Sequence, residues 1–116
     1  MLASKVSMNS QKLVDWDSFH DEFSRVFGFP AFYGRNMDAW IDCMTALDAP
    51  DDGMTMIHCA PGEILTLEML DADDFIRCKE QYEALVRCAA FVNKRRLDVG
   101  EPAVLELTFT FHQNKD

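Results

Sequence analysis

Two carboxylates four residues apart, Asp38 and Asp42, are the side chains best placed to do chemistry in this chain. On a helix that spacing puts both on one face, about one turn from each other, where their repulsion costs about 0.2–0.5 kcal/mol. A pair that lowers stability and supports no packing is a candidate for a ligand. The plain alternative is a solvated face whose charges keep the chain soluble. Three chemistries could use such a pair. Acid–base catalysis would bury both acids in a pocket with a partner such as His20, His58 or His112, and no histidine is near them in sequence. Metal binding would add Asp48, Asp51 and Asp52, whose spacing matches no calcium loop. Recognition of a basic partner asks only that the acids be exposed and held rigidly. We therefore expect no catalytic residue, no metal ligand and no cofactor.

The residues ahead of the pair favour recognition. Phe32-Tyr33-Gly34 sets two aromatics before a glycine. Gly34 permits a turn and the close approach of another backbone. Asn36 can cap a helix by accepting the unpaired amides of its first turn. A short aromatic-rimmed loop beside two carboxylates has the make-up of a protein-binding surface.

That surface needs a scaffold. The first helix should be capped by Asp17, carry Phe19, Phe23, Val26 and Phe27 inward, and stop at Gly28 before Pro30. A second helix over about 36–47 turns Met37, Trp40, Ile41, Met44 and Leu47 to the core. Asp38, Asp42 and Thr45 fall on the opposite side, flanked by Ala39 and Ala46. A long helix over about 80–97 carries an apolar stripe of Tyr82, Leu85, Val86, Ala89, Val92 and Leu97, ended by Gly100 and Pro102. Strands are expected near 5–8, 63–69 and 103–111, with a short extended piece at 54–58. Helices between strands favour parallel pairing through crossovers. The last strand alternates between apolar and polar residues, so one sheet face should be more open. The expected fold is an α/β two-layer sandwich: a small, mainly parallel three-stranded sheet with helices packed on one face.

Composition bounds the rest. The 116 residues suffice for one domain over 1–116, with 1–4 and 112–116 expected as loose ends. A net charge of −9 opposes nucleic-acid binding and can steer a basic protein to the chain, or can simply keep it soluble. No apolar run is long enough to cross a bilayer, and residues 1–5 do not read as a secretory signal, so a cytoplasmic location is expected. Cys43, Cys59, Cys78 and Cys88 form no Cys-x-x-Cys pair, which argues for reduced thiols over a zinc site. The basic run Lys94-Arg95-Arg96 reads as favouring a helix C-terminus through the dipole, with contact to another partner as the alternative.

The segment Phe32-Tyr33-Gly34-Arg35-Asn36-Met37-Asp38-Ala39-Trp40-Ile41-Asp42-Cys43 resembles the inhibitory loop and helix of the barstar family. The shared skeleton is aromatic-aromatic-Gly-x-Asn-x-Asp-Ala-x-x-Asp-Cys. The resemblance implies an intracellular inhibitor, immunity-like in role, of a basic extracellular-type ribonuclease or related toxin. Its acidic helix and loop would block the nuclease active site, the carboxylates standing in for RNA phosphates. By motif position Asp38 and Asp42 take those roles, Phe32 the aromatic contact, and Gly34 and Asn36 the loop. Ile41 and Thr45 fall at further contact positions. The chain departs from the family in five places, one of them a connection over 48–62 that is longer than the family's. Barstar has tryptophan where Ile41 stands, leucine where Trp40 stands and tyrosine where Phe32 stands. A family glutamate late in the last helix falls near Arg96. These differences leave the target's identity open. A family-fold adaptor with no nuclease target remains the competing reading.

Overall fold

The computed structural model describes residues 1–112. Three strands form its sheet: β1 (Lys5–Asn9), β2 (Leu65–Leu70) and β3 (Leu105–Phe109). They are parallel and ordered β1-β2-β3, as an α/β chain with helical crossovers requires. Short as it is, β1 has a clear alternation. Val6 and Met8 are buried, while Lys5, Ser7 and Asn9 are exposed. The register aligns Val6 with Leu67 and Leu107, and Met8 with Met69 and Phe109, so one face of all three strands is apolar. The other face is polar. Ser7 Oγ donates to Glu68 at 2.7 Å, and Lys5 Nζ lies 3.3 Å from the same carboxylate.

Between β1 and β2 run α1 (Trp16–Phe27) and α2 (Met37–Thr45), and between β2 and β3 runs α3 (Lys79–Asp98). The cap of α1 is Asp15, not Asp17: its Oδ1 accepts the Ser18 amide at 2.9 Å. The chain leaves the preceding 3-10 turn, Ser10–Leu13, and is already helical at Trp16, which puts Asp17 inside the first turn. Gly28 ends α1 at φ 67°, as expected, and a Cβ there would come within 2.7 Å of Met56. Phe19, Phe23 and Phe27 descend the inner face of α1, and Phe23 meets Trp40 of α2 edge-on at 5.6 Å. With nine residues α2 is too short to persist alone, so its place depends on buried Trp40, Ile41, Cys43 and Met44.

The inner stripe of α3 differs from the expected one. Leu85, Ala89, Val92 and Arg96 are buried, whereas Val86 and Leu97 are exposed. A guanidinium replaces a leucine on the stripe because a counter-charge waits there, Asp48 just beyond α2. The N-terminus also differs. Residues 1–3, expected to be loose, pair with the piece at 54–58. His58 N donates to Met1 O at 2.8 Å, and Ala3 N donates to His58 O at 2.7 Å. Of that piece, only His58 enters a β-bridge. At the other end His112 N donates to Asp73 Oδ2 at 2.8 Å; residues 113–116, expected as a loose end, lie outside the described residues. All four thiols are unbridged, Cys43 and Cys59 buried and the other two half-buried.

Candidate functional site

The loop between α1 and α2 is built on aromatic packing and one latch. Phe29 and Tyr33 rings pack at 4.6 Å, and Tyr33 OH shares a 2.7 Å hydrogen bond with His20 Nδ1 of α1. Burial pushes the Tyr33 hydroxyl well above the usual phenol range. Burial, aided by the Arg35 charge, holds the His20 ring below the usual imidazole range. Arg35 is the latch. Its guanidinium reaches back to Asp21 at 2.7 Å and to the Asp17 carboxylate at 3.5 Å. The left-handed residue of the loop is also Arg35, at φ 55°, and not Gly34. The space beside Gly34 is tight without being blocked: an added Cβ would stand 3.4 Å from Asn36 Nδ2.

This anchoring leaves Phe32 outward, 76% exposed. Asn36 then caps α2 as its spacing predicts, its Oδ1 accepting the Ala39 amide at 2.8 Å. Asp38 and Asp42 follow, one turn apart and both exposed. Thr45 is half-buried, and its hydroxyl is spent on Ile41 O at 2.6 Å. Six of the seven expected contact residues, Phe32, Gly34, Asn36, Asp38, Asp42 and Thr45, thus lie at least partly open along one loop and one helix face. Ile41 does not. It is 9% exposed and part of the core cluster, because its position falls on the inward side of α2 with Trp40 and Met44. Trp40 is wholly buried, and its Nε1 has no hydrogen-bond partner among the described residues.

Sequence reasoning missed what surrounds the acids. Arg95 of α3 lies 2.9 Å from Asp42 Oδ1. Arg96 pairs with Asp48 through both terminal nitrogens and donates to Thr45 O at 3.0 Å and to Pro102 O at 2.8 Å. Neither arginine merely faces the helix dipole: Arg96 stitches α3 to the end of α2, and Arg95 makes an exposed pair with Asp42 on its open face. A signal for Arg96 was present, since 85, 89, 92 and 96 keep the inward period of the helix. None marked Arg95, whose partner is 53 residues away. Beside this stitching an open groove of about 470 Å³ is lined by Asp42, Asp48, Asp52, Met54, Arg95 and Arg96, among others. Burial, with the nearby Asp42 charge, pushes the Cys43 thiol up to about 11. That thiol is therefore no nucleophile at neutral pH.

The arrangement can hold cationic groups of a partner against a rigid acidic face. Among the described residues no group of three or more His, Cys, Asp or Glu side chains is positioned to hold a metal ion. No helix there is long and apolar enough to cross a membrane. A family model described as Barstar (barnase inhibitor) matches residues 3–108 of the chain. Curated proteins give no match.

Proposed function

Because this chain belongs to the barstar family, matched over residues 3–108, we propose that it is a proteinaceous inhibitor of a basic ribonuclease or related toxin, acting in the cytoplasm as an immunity-like protein. The carrying observation is Asp38 and Asp42, exposed one turn apart on a helix capped by Asn36 and led in by the outward Phe32. A ribonuclease cleft must be cationic to hold phosphates. Two carboxylates already fixed on a helix meet such cations with little ordering cost. The charge of −9 speeds their encounter. Phe32 supplies apolar contact at the rim, and exposed Gly34, with no side chain, lets a partner's backbone come close. Asp38, Asp42, Phe32, Gly34 and Asn36 carry the proposed interface, with Thr45 at its border through its backbone and methyl group. Ile41 contributes by fixing the helix and not by touching the partner. The proposed action is occlusion, without catalysis by this chain.

One observation favours a second reading, a family-fold interaction module with no nuclease target: Arg95 already neutralises Asp42. Affinity capture separates the two. The wild-type chain should retain a basic nuclease from its own cell, and Asp38→Ala/Asp42→Ala should release it. Retention of a non-nuclease protein by both forms would support the module instead.

A further inference from the structure

We propose that Arg95 is a specificity-determining residue of this face: it holds Asp42 Oδ1 as an intramolecular counter-ion, with which a partner's cation must compete for Asp42. The inference rests on the reading of Asp42 as a recognition residue. The two acids of α2 are not equivalent. Asp38 makes no ion pair among the described residues, while Asp42 receives Arg95 Nη1 at 2.9 Å. The Arg95 and Asp42 side chains are 44% and 58% exposed, so water and incoming cations compete for both. The neighbouring Arg96 provides the contrast. It is 3% exposed against a 16% exposed Asp48 and holds two backbone carbonyls as well, so it cannot leave without opening the fold. Two adjacent arginines therefore have opposite duties: Arg96 fixes the end of α2, and Arg95 gates its recognition face.

The gate defines the partner's chemistry. A partner meets Asp38 first. To reach Asp42 it needs a second basic side chain about one helical turn, roughly 6 Å, away from the first. An acidic side chain beside that second cation would receive the released Arg95. A partner with a single isolated cation gains Asp38 alone. A purely cationic cleft must also accept Arg95 as a like charge.

An end-blocked hexa-arginine peptide reads the gate without any nuclease. Titrated calorimetrically at low salt, Arg95→Ala should bind it about two- to fivefold more tightly than wild type, the range an exposed ion pair can contribute. Lys94→Ala makes the same change in net charge one residue away, where the ammonium pairs with Asp98 at 2.9 Å, and should give a clearly smaller gain. In an Asp42→Asn background Arg95→Ala should lose its excess over Lys94→Ala. Circular dichroism checks that each variant is folded. No gain in Arg95→Ala, an equal gain in Lys94→Ala, or an undiminished gain in the Asp42→Asn background would overturn the proposal. A chain that inhibits no ribonuclease but shows the Asp42-dependent gain refutes the nuclease reading and keeps the gate. Inhibition without that gain does the reverse.

Discussion

Arg96 grips Asp48 in a two-pronged ion pair, Nη1 to Oδ1 at 2.9 Å and Nη2 to Oδ2 at 2.7 Å, at the junction of α2 and α3. The guanidinium is nearly sealed from water, and it also donates to Pro102 O through Nε and to Thr45 O through Nη1. Removing Asp48 would leave this buried charge only the longer, exposed pair with Glu101 at 3.7 Å. Asp48→Ala is expected to destabilise the fold by about 3 kcal/mol. Asp42→Ala removes the partner of an exposed arginine and should cost under about 1 kcal/mol. Urea unfolding of both variants measures the difference. Equal midpoints would mean that Arg96 is hydrated in solution and that the junction is not held by this pair.

The Asn36 cap gives a second stability prediction. Its Oδ1 accepts the Ala39 amide, and α2 is too short to form without help. Asn36→Ala should cost about 1 kcal/mol, and Asn36→Gly only a few tenths. The same unfolding measurement reads both. A glycine variant as unstable as the alanine one would show that the side chain does more than cap, for example by fixing the loop through its 3.4 Å contact with Gly34 O.

Much of this arrangement could be read from the residues alone, because it follows from local rules. The period of Phe19, Phe23 and Phe27 set the inner face of α1, and Gly28 with Pro30 set its end. Asn36 announced the start of α2, and the opposition of Asp38 and Asp42 to Trp40 and Met44 announced the acidic face. Alternation placed Leu65, Leu67 and Met69 inward. Contacts between residues far apart in the chain were not legible. Nothing near Asp42 in sequence names Arg95, and nothing near Met1 names His58. Within the basic run 94–96 the charge of Arg96 reads as favouring the helix C-terminus through the dipole, although its position lies on the buried stripe. Here a specific counter-charge outweighed the general preference for apolar interiors. Asp17 lost the cap of α1 to Asp15 for a smaller reason: both can accept an amide, and the preceding turn decided which stood first.

Acid should weaken the protein in two stages. Burial keeps the His20 ring below its ordinary value of 6.5, so the unfolded chain takes up the proton first as pH falls. The stability contributed by neutral His20 is full above 6.5 and is lost as pH drops from there toward the lower folded-state value. Three carboxylates act lower down. The Ser18 amide lowers Asp15, Arg25 lowers Glu22, and Ser7 with Lys5 lowers Glu68. Their contribution is present above the ordinary values of 3.8 and 4.5 and disappears as pH falls through the folded-state values. Denaturation midpoints across pH should show both stages. His20→Gln should flatten the upper one and leave the lower one in place. An unchanged upper stage would place its cause elsewhere.

The thiols should differ sharply in reactivity. Cys43 and Cys59 are buried, and burial raises both. A disulfide reagent added to the native protein at about pH 8, close to the ordinary thiol range, should reach Cys78 first, and then the half-buried Cys88, whose thiol burial also raises. Cys43 and Cys59 should react at the rate of unfolding. Mass spectrometry of the modified peptides gives the order. Early modification of Cys43 would mean that α2 opens readily, contrary to a rigid recognition helix.

The central claim is that the acidic face of α2 occludes a basic ribonuclease, and a stoichiometric inhibition titration tests it most directly. Cleavage of a fluorogenic RNA substrate by the captured nuclease is followed while wild type, Asp42→Ala or Asp38→Ala is added, at low and at high salt. A linear fall in activity to an equivalence point at one inhibitor per nuclease is expected for wild type, with association slowed by salt. Asp42→Ala should weaken binding by about 2 kcal/mol, roughly thirtyfold, since it leaves a cation of the nuclease unpaired. Equal inhibition by wild type and by both aspartate variants would contradict the account.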